Sequence, residues 1–340
     1  MNKMTKLGVS ALCGSLAAVS SANAGELTVT GGVDMSWISL DDQTTGNPIG
    51  IGSNLTFAGS GELDNGWTFD LTVAMKNSDV YSNTNVDITM GGLGSLNFDQ
   101  GDSGNGIAAY DDKMPTAWEE AWGNGLGTGV ALVVGGAGSP NMQYTSPTLG
   151  GITLVMAVTP DMGAADAADK STSSTDDGTG AGYDATLNIN PTFGTEILSG
   201  LNLFVGGHYT ENLQPTENDK YEGVAGATLD LGPISVGYAS SGVSTGNEDK
   251  SEVDWYKNHM YGVAFNINDN LSISYGYHES QQGFVNPALT EAVHMDMDSY
   301  QIAYTIGGAS IRYASTEVNN AAYQTGAGFD KEADVISVSL

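Results

Sequence analysis

The feature that most constrains this chain is a two-residue hydrophobic alternation that recurs along nearly its whole length. Beyond the first 24 residues, no stretch approaches the roughly 18 consecutive apolar residues that a spanning helix needs. At the C-terminus Ile336, Val338 and Leu340 alternate with Val335, Ser337 and Ser339. Further back, Ile302, Tyr304 and Ile306 alternate with Gln301, Ala303 and Thr305, and after Gly307 and Gly308 the pattern resumes in Ile311 and Tyr313 against Ser310, Arg312 and Ala314. Two glycines between runs of period two read as a tight hairpin. The same grammar appears in Tyr261, Val263, Phe265 and Ile267, then the turn Asn268–Asn270, then Leu271, Ile273, Tyr275 and Tyr277. It appears again in Trp67, Phe69, Leu71, Val73 and Met75 behind the turn Asp64–Gly66.

Other candidate strands are 25–39, 51–62, 81–90, 94–100, 140–147, 150–159, 181–190, 199–210, 220–231 and 232–241. Together these give about 16 strands, an even number that suits a closed antiparallel barrel. Connections at 64–66, 91–94, 149–151, 231–233, 268–270 and 307–308 are tight, whereas 40–50, 101–139, 160–180, 242–254, 280–294 and 317–328 are long. Short turns on one rim and long loops on the other are how outer-membrane barrels are built.

A soluble β-sandwich also alternates, but its apolar face fills an interior while polar residues face water. Here the apolar face is rich in large aromatics with almost no charge, and the other face mixes Ser, Thr, Gly, Asn, Asp and His with too little apolar volume to fill a core. A barrel with lipid outside and water inside accommodates both faces, and closure pairs the strand edges that hydrocarbon cannot hydrate. Trp37, Trp67, Tyr81, Tyr209, Tyr221, Trp255, Tyr261 and Tyr277 fall near strand ends, where an aromatic girdle would sit. The expected fold is therefore an all-β closed antiparallel transmembrane barrel.

The N-terminus carries Lys3 and Lys6, an apolar stretch from Leu7 to Val19, and the small residues Ala22, Asn23 and Ala24. This is the layout of a secretory signal peptide over 1–24, with cleavage expected before Gly25 and the barrel occupying 25–340. Cys13, the sole cysteine, lies within that leader. The exported chain therefore has no disulfide, thiolate metal site or cysteine nucleophile. Forty acids stand against ten basic residues, a net charge of −30 that becomes −32 once the two leader lysines are removed. Such a chain repels nucleic acid and attracts cations. The competing reading is an exported acidic surface-layer or soluble β-protein with calcium-dependent assembly.

The longest connection, 101–139, carries Asp102, Asp111, Asp112, Lys113, Glu119 and Glu120, followed by a glycine-rich apolar stretch from Leu132 to Gly138. The segment Gly94-Ser-Leu-Asn-Phe-Asp-Gln-Gly-Asp102 resembles the strand entering the constriction loop of Gram-negative general diffusion porins, especially of alphaproteobacterial type. Tyr144-Thr-Ser-Pro-Thr-Leu-Gly-Gly-Ile-Thr-Leu154 resembles the strand, turn and strand that follow it. The resemblance implies a homotrimer of outer-membrane barrels surrounded by lipid, passing ions and small hydrophilic solutes, with the third long loop folded inward as an eyelet.

By that resemblance Asp102, Asp111, Asp112, Glu119 and Glu120 are candidates for the loop side of the constriction, and by strand parity Lys76 and Arg312 point into the lumen as its wall side. One arginine cannot build the family's arginine cluster, and Leu340 replaces the usual terminal phenylalanine. Carboxylates should therefore dominate the lumen and favour cations. Asp166, Asp169, Asp176 and Asp177 in a Ser- and Gly-rich loop suit calcium in donor type, although no ordered ligand spacing is present. No cofactor is required by any motif. The four histidines, His208, His259, His278 and His294, belong to no Gly-x-Ser-x-Gly or His-Glu-x-x-His pattern, and the expectation is a non-enzymatic channel.

Overall fold

The computed structural model describes residues 24–41, 46–77, 79–101, 104–123, 125–163, 178–191, 198–288 and 292–340. Its strands are β1 (Ala24–Asp41), β2 (Ile49–Glu62), β3 (Thr68–Lys76), β4 (Asp79–Thr89), β5 (Ser95–Asp99), β6 (Asn141–Thr145), β7 (Ile152–Thr159) and β8 (Thr179–Ile189). They continue with β9 (Leu201–Asn212), β10 (Lys220–Leu231), β11 (Ile234–Ser244), β12 (Val253–Asn268), β13 (Leu271–Phe284), β14 (His294–Ile306), β15 (Ala309–Asn319) and β16 (Lys331–Ser339). Each pairs with its chain neighbours, and β1 also pairs with β16, closing a barrel of 16 antiparallel strands. At the seam Asp34 to Asp41 lie opposite Ser339 to Glu332. Val33 and Leu340 exchange backbone hydrogen bonds of 3.0 and 2.9 Å just below. Of the expected leader only Ala24, which opens β1, is among the described residues.

Several strands run further than their apolar alternation. β12 starts at Val253 rather than near Tyr261, β13 reaches Phe284, and β14 starts at His294. Toward the long-loop rim the outward face turns polar, as at Asp296 and Asp298, while inward Met295 and Met297 are fully buried against the inner loop, so the apolar alternation changes parity while the backbone ladder continues. The rims are also less regular than expected. The β3–β4 connection on the long-loop rim is only two residues, 77 and 78. Asn77 turns there with φ 57°. Its N–H donates to Ser53 O at 2.7 Å and its Oδ1 accepts from Ser53 N at 3.1 Å, tying the turn to β2. On the opposite rim the β8–β9 connection spans 190–200 and is the exception among tight turns.

The two faces of the wall are inverted relative to a water-soluble protein. Inward Ser299 and Ser337 are fully buried, whereas outward Ile336, Tyr300 and Ile51 are 49%, 62% and 71% exposed. Apolar exposure on that scale, wrapped around a cylinder, is stable only when hydrocarbon covers it. Tyrosines form belts across adjacent strands on the outer surface. Tyr183, Tyr209 and Tyr221 follow one another at 6.3 and 5.4 Å between ring centroids, and Tyr238, Tyr261 and Tyr277 at 5.0 and 6.0 Å. Their neighbours' hydroxyls reach acids nearer the long-loop rim: Tyr275 donates to Asp298 at 2.8 Å and Tyr313 to Asp334 at 2.7 Å. An apolar ring with a polar tip suits the boundary between lipid and water.

These faces generate a test. Leu71→Arg, on the outward face of β3, should destabilise the folded barrel by about 2–4 kcal/mol if it sits near the bilayer midplane. Thr72→Arg, on the inward face one residue later, should leave stability nearly unchanged. Urea unfolding in lipid vesicles, followed by tryptophan fluorescence, measures both.

Candidate pore constriction

The connection from β5 to β6, residues 100–140, folds into the barrel and lies along its inner wall. Its entry is held by amides and one carboxylate. Asn105 Nδ2 donates to Asn97 Oδ1 and to Asn141 Oδ1, both at 2.7 Å, and Gly106 N donates to Gln143 Oε1 at 2.7 Å. A short 3-10 helix, Gly106–Tyr110, then packs against β8 and β9. Its Ile107 N donates to Asp184 Oδ1 at 3.0 Å. The returning limb is fixed one strand pair away, where Val134 N and Gly135 N donate to Glu222 Oε2 at 2.7 and 3.0 Å.

Between these anchors the loop lies in a track without side chains. Gly237, Gly262 and Gly276 are direct cross-strand partners on β11, β12 and β13. A Cβ on Gly262 would sit 2.7 Å from Pro115 O, and one on Gly237 2.5 Å from Pro115 Cδ. The space that missing side chains leave is filled by the loop itself. Ile107, Tyr110 and Met114 cluster with Phe204, Val224 and Met260 of the wall.

Gln301 on β14 holds the loop tip. Its Oε1 accepts from Thr116 Oγ1 at 2.8 Å and from Trp118 N and Glu119 N at 3.0 Å, while its Nε2 donates to Glu119 O at 2.5 Å. Ala117 N donates to Ser274 Oγ at 2.8 Å beside it. Beyond the tip, Lys331 Nζ reaches Leu126 O and Gly127 O at 3.2 Å, and Asn258 Nδ2 reaches Ala131 O at 2.9 Å.

The candidate charges fall as follows. Asp111 and Asp112 follow the 3-10 helix, and Glu119 and Glu120 sit at the tip. Lys113 lies 3.8 Å from Asp112. Burial, followed by repulsion from Asp112, raises the Asp111 carboxyl to about 6. Burial is also the largest influence on Glu120, which rises to about 7 with repulsion from Asp112, Glu119 and Asp111 adding to it. Glu119 is raised chiefly by burial, and its carboxyl also feels Arg312, Asp34 and Lys76. Those three wall groups and the loop tip thus share one electrostatic neighbourhood.

Arg312 is inward, but it lies against the loop rather than across from it. Its guanidinium binds Asp34 of β1, donates to Ser337 Oγ at 2.8 Å, and sits 4.9 Å from the Trp118 ring. Lys76 lines a separate recess of about 460 Å³ with Asp34, Asn54, Thr56 and Ser339. Asp102, Asp166, Asp169, Asp176 and Asp177 lie outside the described residues. Among the described residues no group of three or more His, Cys, Asp or Glu is placed to hold a metal ion.

A family model for Gram-negative porins matches residues 8–333. The chain belongs to the Gram-negative porin family. No curated protein matches this porin in sequence. Among solved structures it resembles the anion-selective porin from Comamonas acidovorans, with a TM-score of 0.65, 12% identity, and 92% of this chain and 99% of that one covered. It resembles the trimer form of in-vitro folded OmpT, an outer membrane protein of Vibrio cholerae, with a TM-score of 0.65, 10% identity and coverage of 94% and 99%. Salmonella typhi OmpF in complex with daunomycin gives a TM-score of 0.66, 11% identity and coverage of 93% and 98%. At such identities the shared property is the barrel.

Sequence reasoning left the loop's supports unassigned. Asp34, Asp184, Glu222 and Gln301 all stand on the inward parity of their strands, which is a readable signal, but their partners lie in a loop without period. His208 is a further case. Its Nδ1 lies 3.0 Å from Asp184 Oδ2 and its Nε2 2.7 Å from Thr210 Oγ1. The order acid, imidazole, hydroxyl is that of a hydrolase, yet His208 and Thr210 are buried and Asp184 also holds Ile107 N. In the porin this relay orients a loop anchor.

Two substitutions test the anchoring. Gln301→Leu leaves the tip amides without their acceptor, at a cost of about 1–3 kcal/mol, and should increase open-channel current noise in planar bilayers. Gly262→Val pushes Pro115 off the wall toward the lumen and should lower single-channel conductance. Unchanged traces from both would mean that the tip is not held where described.

Proposed function

We propose that this porin is a cation-selective diffusion channel for ions and small hydrophilic solutes, exported by its leader and inserted in the outer membrane as a homotrimer. The observation that carries the reading is the charge of the inner loop: Asp111, Asp112, Glu119 and Glu120 stand with one loop lysine, Lys113. Carboxylates gathered along a narrow aqueous path concentrate cations and repel anions. The outward apolar surface and tyrosine belts support membrane insertion, and the likeness to the trimer form of OmpT supports the assembly. Likeness to an anion-selective porin does not oppose the reading, because at 12% identity it shows the barrel alone.

Replacing the four acids together, by Asp111→Asn, Asp112→Asn, Glu119→Gln and Glu120→Gln, should move the reversal potential under a salt gradient toward the anion value. A variant that keeps the wild-type reversal potential would remove these residues from the selectivity site.

The raised carboxyls add a pH dependence. Asp111 near 6 and Glu120 near 7 lose charge as pH falls through those values. Cation preference should therefore decline between about pH 8 and about pH 5, well above the range in which an ordinary carboxylate titrates. Reversal potentials across that range measure it, and a ratio that is flat until about pH 4.5 would contradict the buried placement of both groups.

A further inference from the structure

The single arginine of this porin is the residue from which an anion-favouring wall would be built, and its surroundings cancel it. Asp34, Ser337 and Arg312 stand on the inward faces of β1, β16 and β15, three consecutive strands at the barrel seam. Ser337 is the direct cross-strand partner of both Arg312 and Ser36, which brings Asp34 onto the adjacent diagonal. Arg312 Nη2 donates to Asp34 Oδ2 and to Ser337 Oγ, and Ser337 Oγ donates to Asp34 Oδ1 at 2.5 Å. The guanidinium is further covered by the Trp118 indole of the loop tip, 4.9 Å away, leaving its side chain 18% exposed against 41% for Asp34.

A cation in contact with a carboxylate acts at a distance as a dipole, whose field falls off faster than that of a lone charge. We propose that Asp34 is a specificity-determining residue: by neutralising Arg312 it removes the arginine from the field that a permeating ion meets and leaves the loop acids opposed on this side of the lumen by Lys76. The proposal rests on the cation-selective reading and assigns its origin to one further residue. Asp34 lines the same recess as Lys76 and its side chain is 41% exposed, so a change in its charge is made at the inner surface rather than within the wall.

The pair permits a charge cycle. The wild-type pair carries no net charge, Asp34→Asn leaves +1, Arg312→Gln leaves −1, and the double variant returns to zero. Each protein is extracted as a folded barrel, checked by heat-modifiable migration, and its cation-to-anion permeability ratio is taken from the reversal potential in a potassium chloride gradient. Asp34→Asn should lower the ratio by about twofold or more, the scale of one unit charge several ångströms from an ion in water. Arg312→Gln should raise it, the double variant should return close to the wild-type value, and Asp34→Glu should preserve it.

A purely structural role for Asp34 would alter conductance or noise without opposite shifts that cancel. An unchanged ratio in folded Asp34→Asn, or a double variant that keeps the single variant's shift, overturns the proposal. Should Asp34→Asn fail to fold, an unchanged ratio in Arg312→Gln overturns it equally. The wild-type ratio tests the selectivity reading by itself: anion preference there would sink that reading, while the cycle would still show whether Asp34 masks the arginine.

Discussion

Everything in this structure depends on the demand that backbone N–H and C=O groups crossing hydrocarbon be paired within the protein. Strand β1 meets that demand at the seam by pairing with β16 over eight residues, and the exchange between Val33 and Leu340 completes it. Once the ladder is closed, alternate side chains are assigned to two different solvents. Isoleucine and tyrosine face lipid, serine, threonine and asparagine face the lumen, and the ordinary rule that apolar residues go inside is reversed across the wall.

Closure leaves an interior whose inward apolar side chains, Phe204, Val224, Met260, Met295, Met297 and Val318 among them, stand in two patches. The inner loop covers both, with Ile107, Tyr110 and Met114 packing on Phe204 and Met260, and Ala121 and Leu126 joining Met295, Met297 and Val318. Its polar backbone is answered by inward side chains at fixed stations, Asp184, Glu222, Ser274 and Gln301. The glycine track on β11 to β13 lets the chain lie close to the sheet.

The sequence was most legible where one physical signal acted alone. Between Tyr261 and Tyr277 lipid contact on one face gives a clean alternation, and the hairpin at Asn268–Asn270 follows from it. Legibility failed where the apolar residues change to the inward face beneath the loop, as Met295 and Met297 do on β14, and where a side chain substituted for a longer turn, as Asn77 does between β3 and β4. On the wall, Arg312 and Lys76 share the inward parity of Asp34. Parity could not place Arg312 beneath Trp118 or beside Asp34, because that pairing joins residues 278 positions apart through barrel closure and a loop without period.

The central claim is an aqueous lumen, lined by the inward parity and biased toward cations. It can be tested in one measurement because Cys13, within the expected leader, is the only cysteine. A cysteine placed at Asn54, in the recess shared by Asp34 and Lys76, is exposed in turn to a cationic and an anionic thiol reagent of similar size, and the fall in conductance is timed for each. The account predicts that both reagents reach the site and that the cationic one reacts several-fold faster. Faster reaction with the anionic reagent would contradict the carboxylate-dominated lumen, and a site that neither reagent reaches would contradict the open barrel itself.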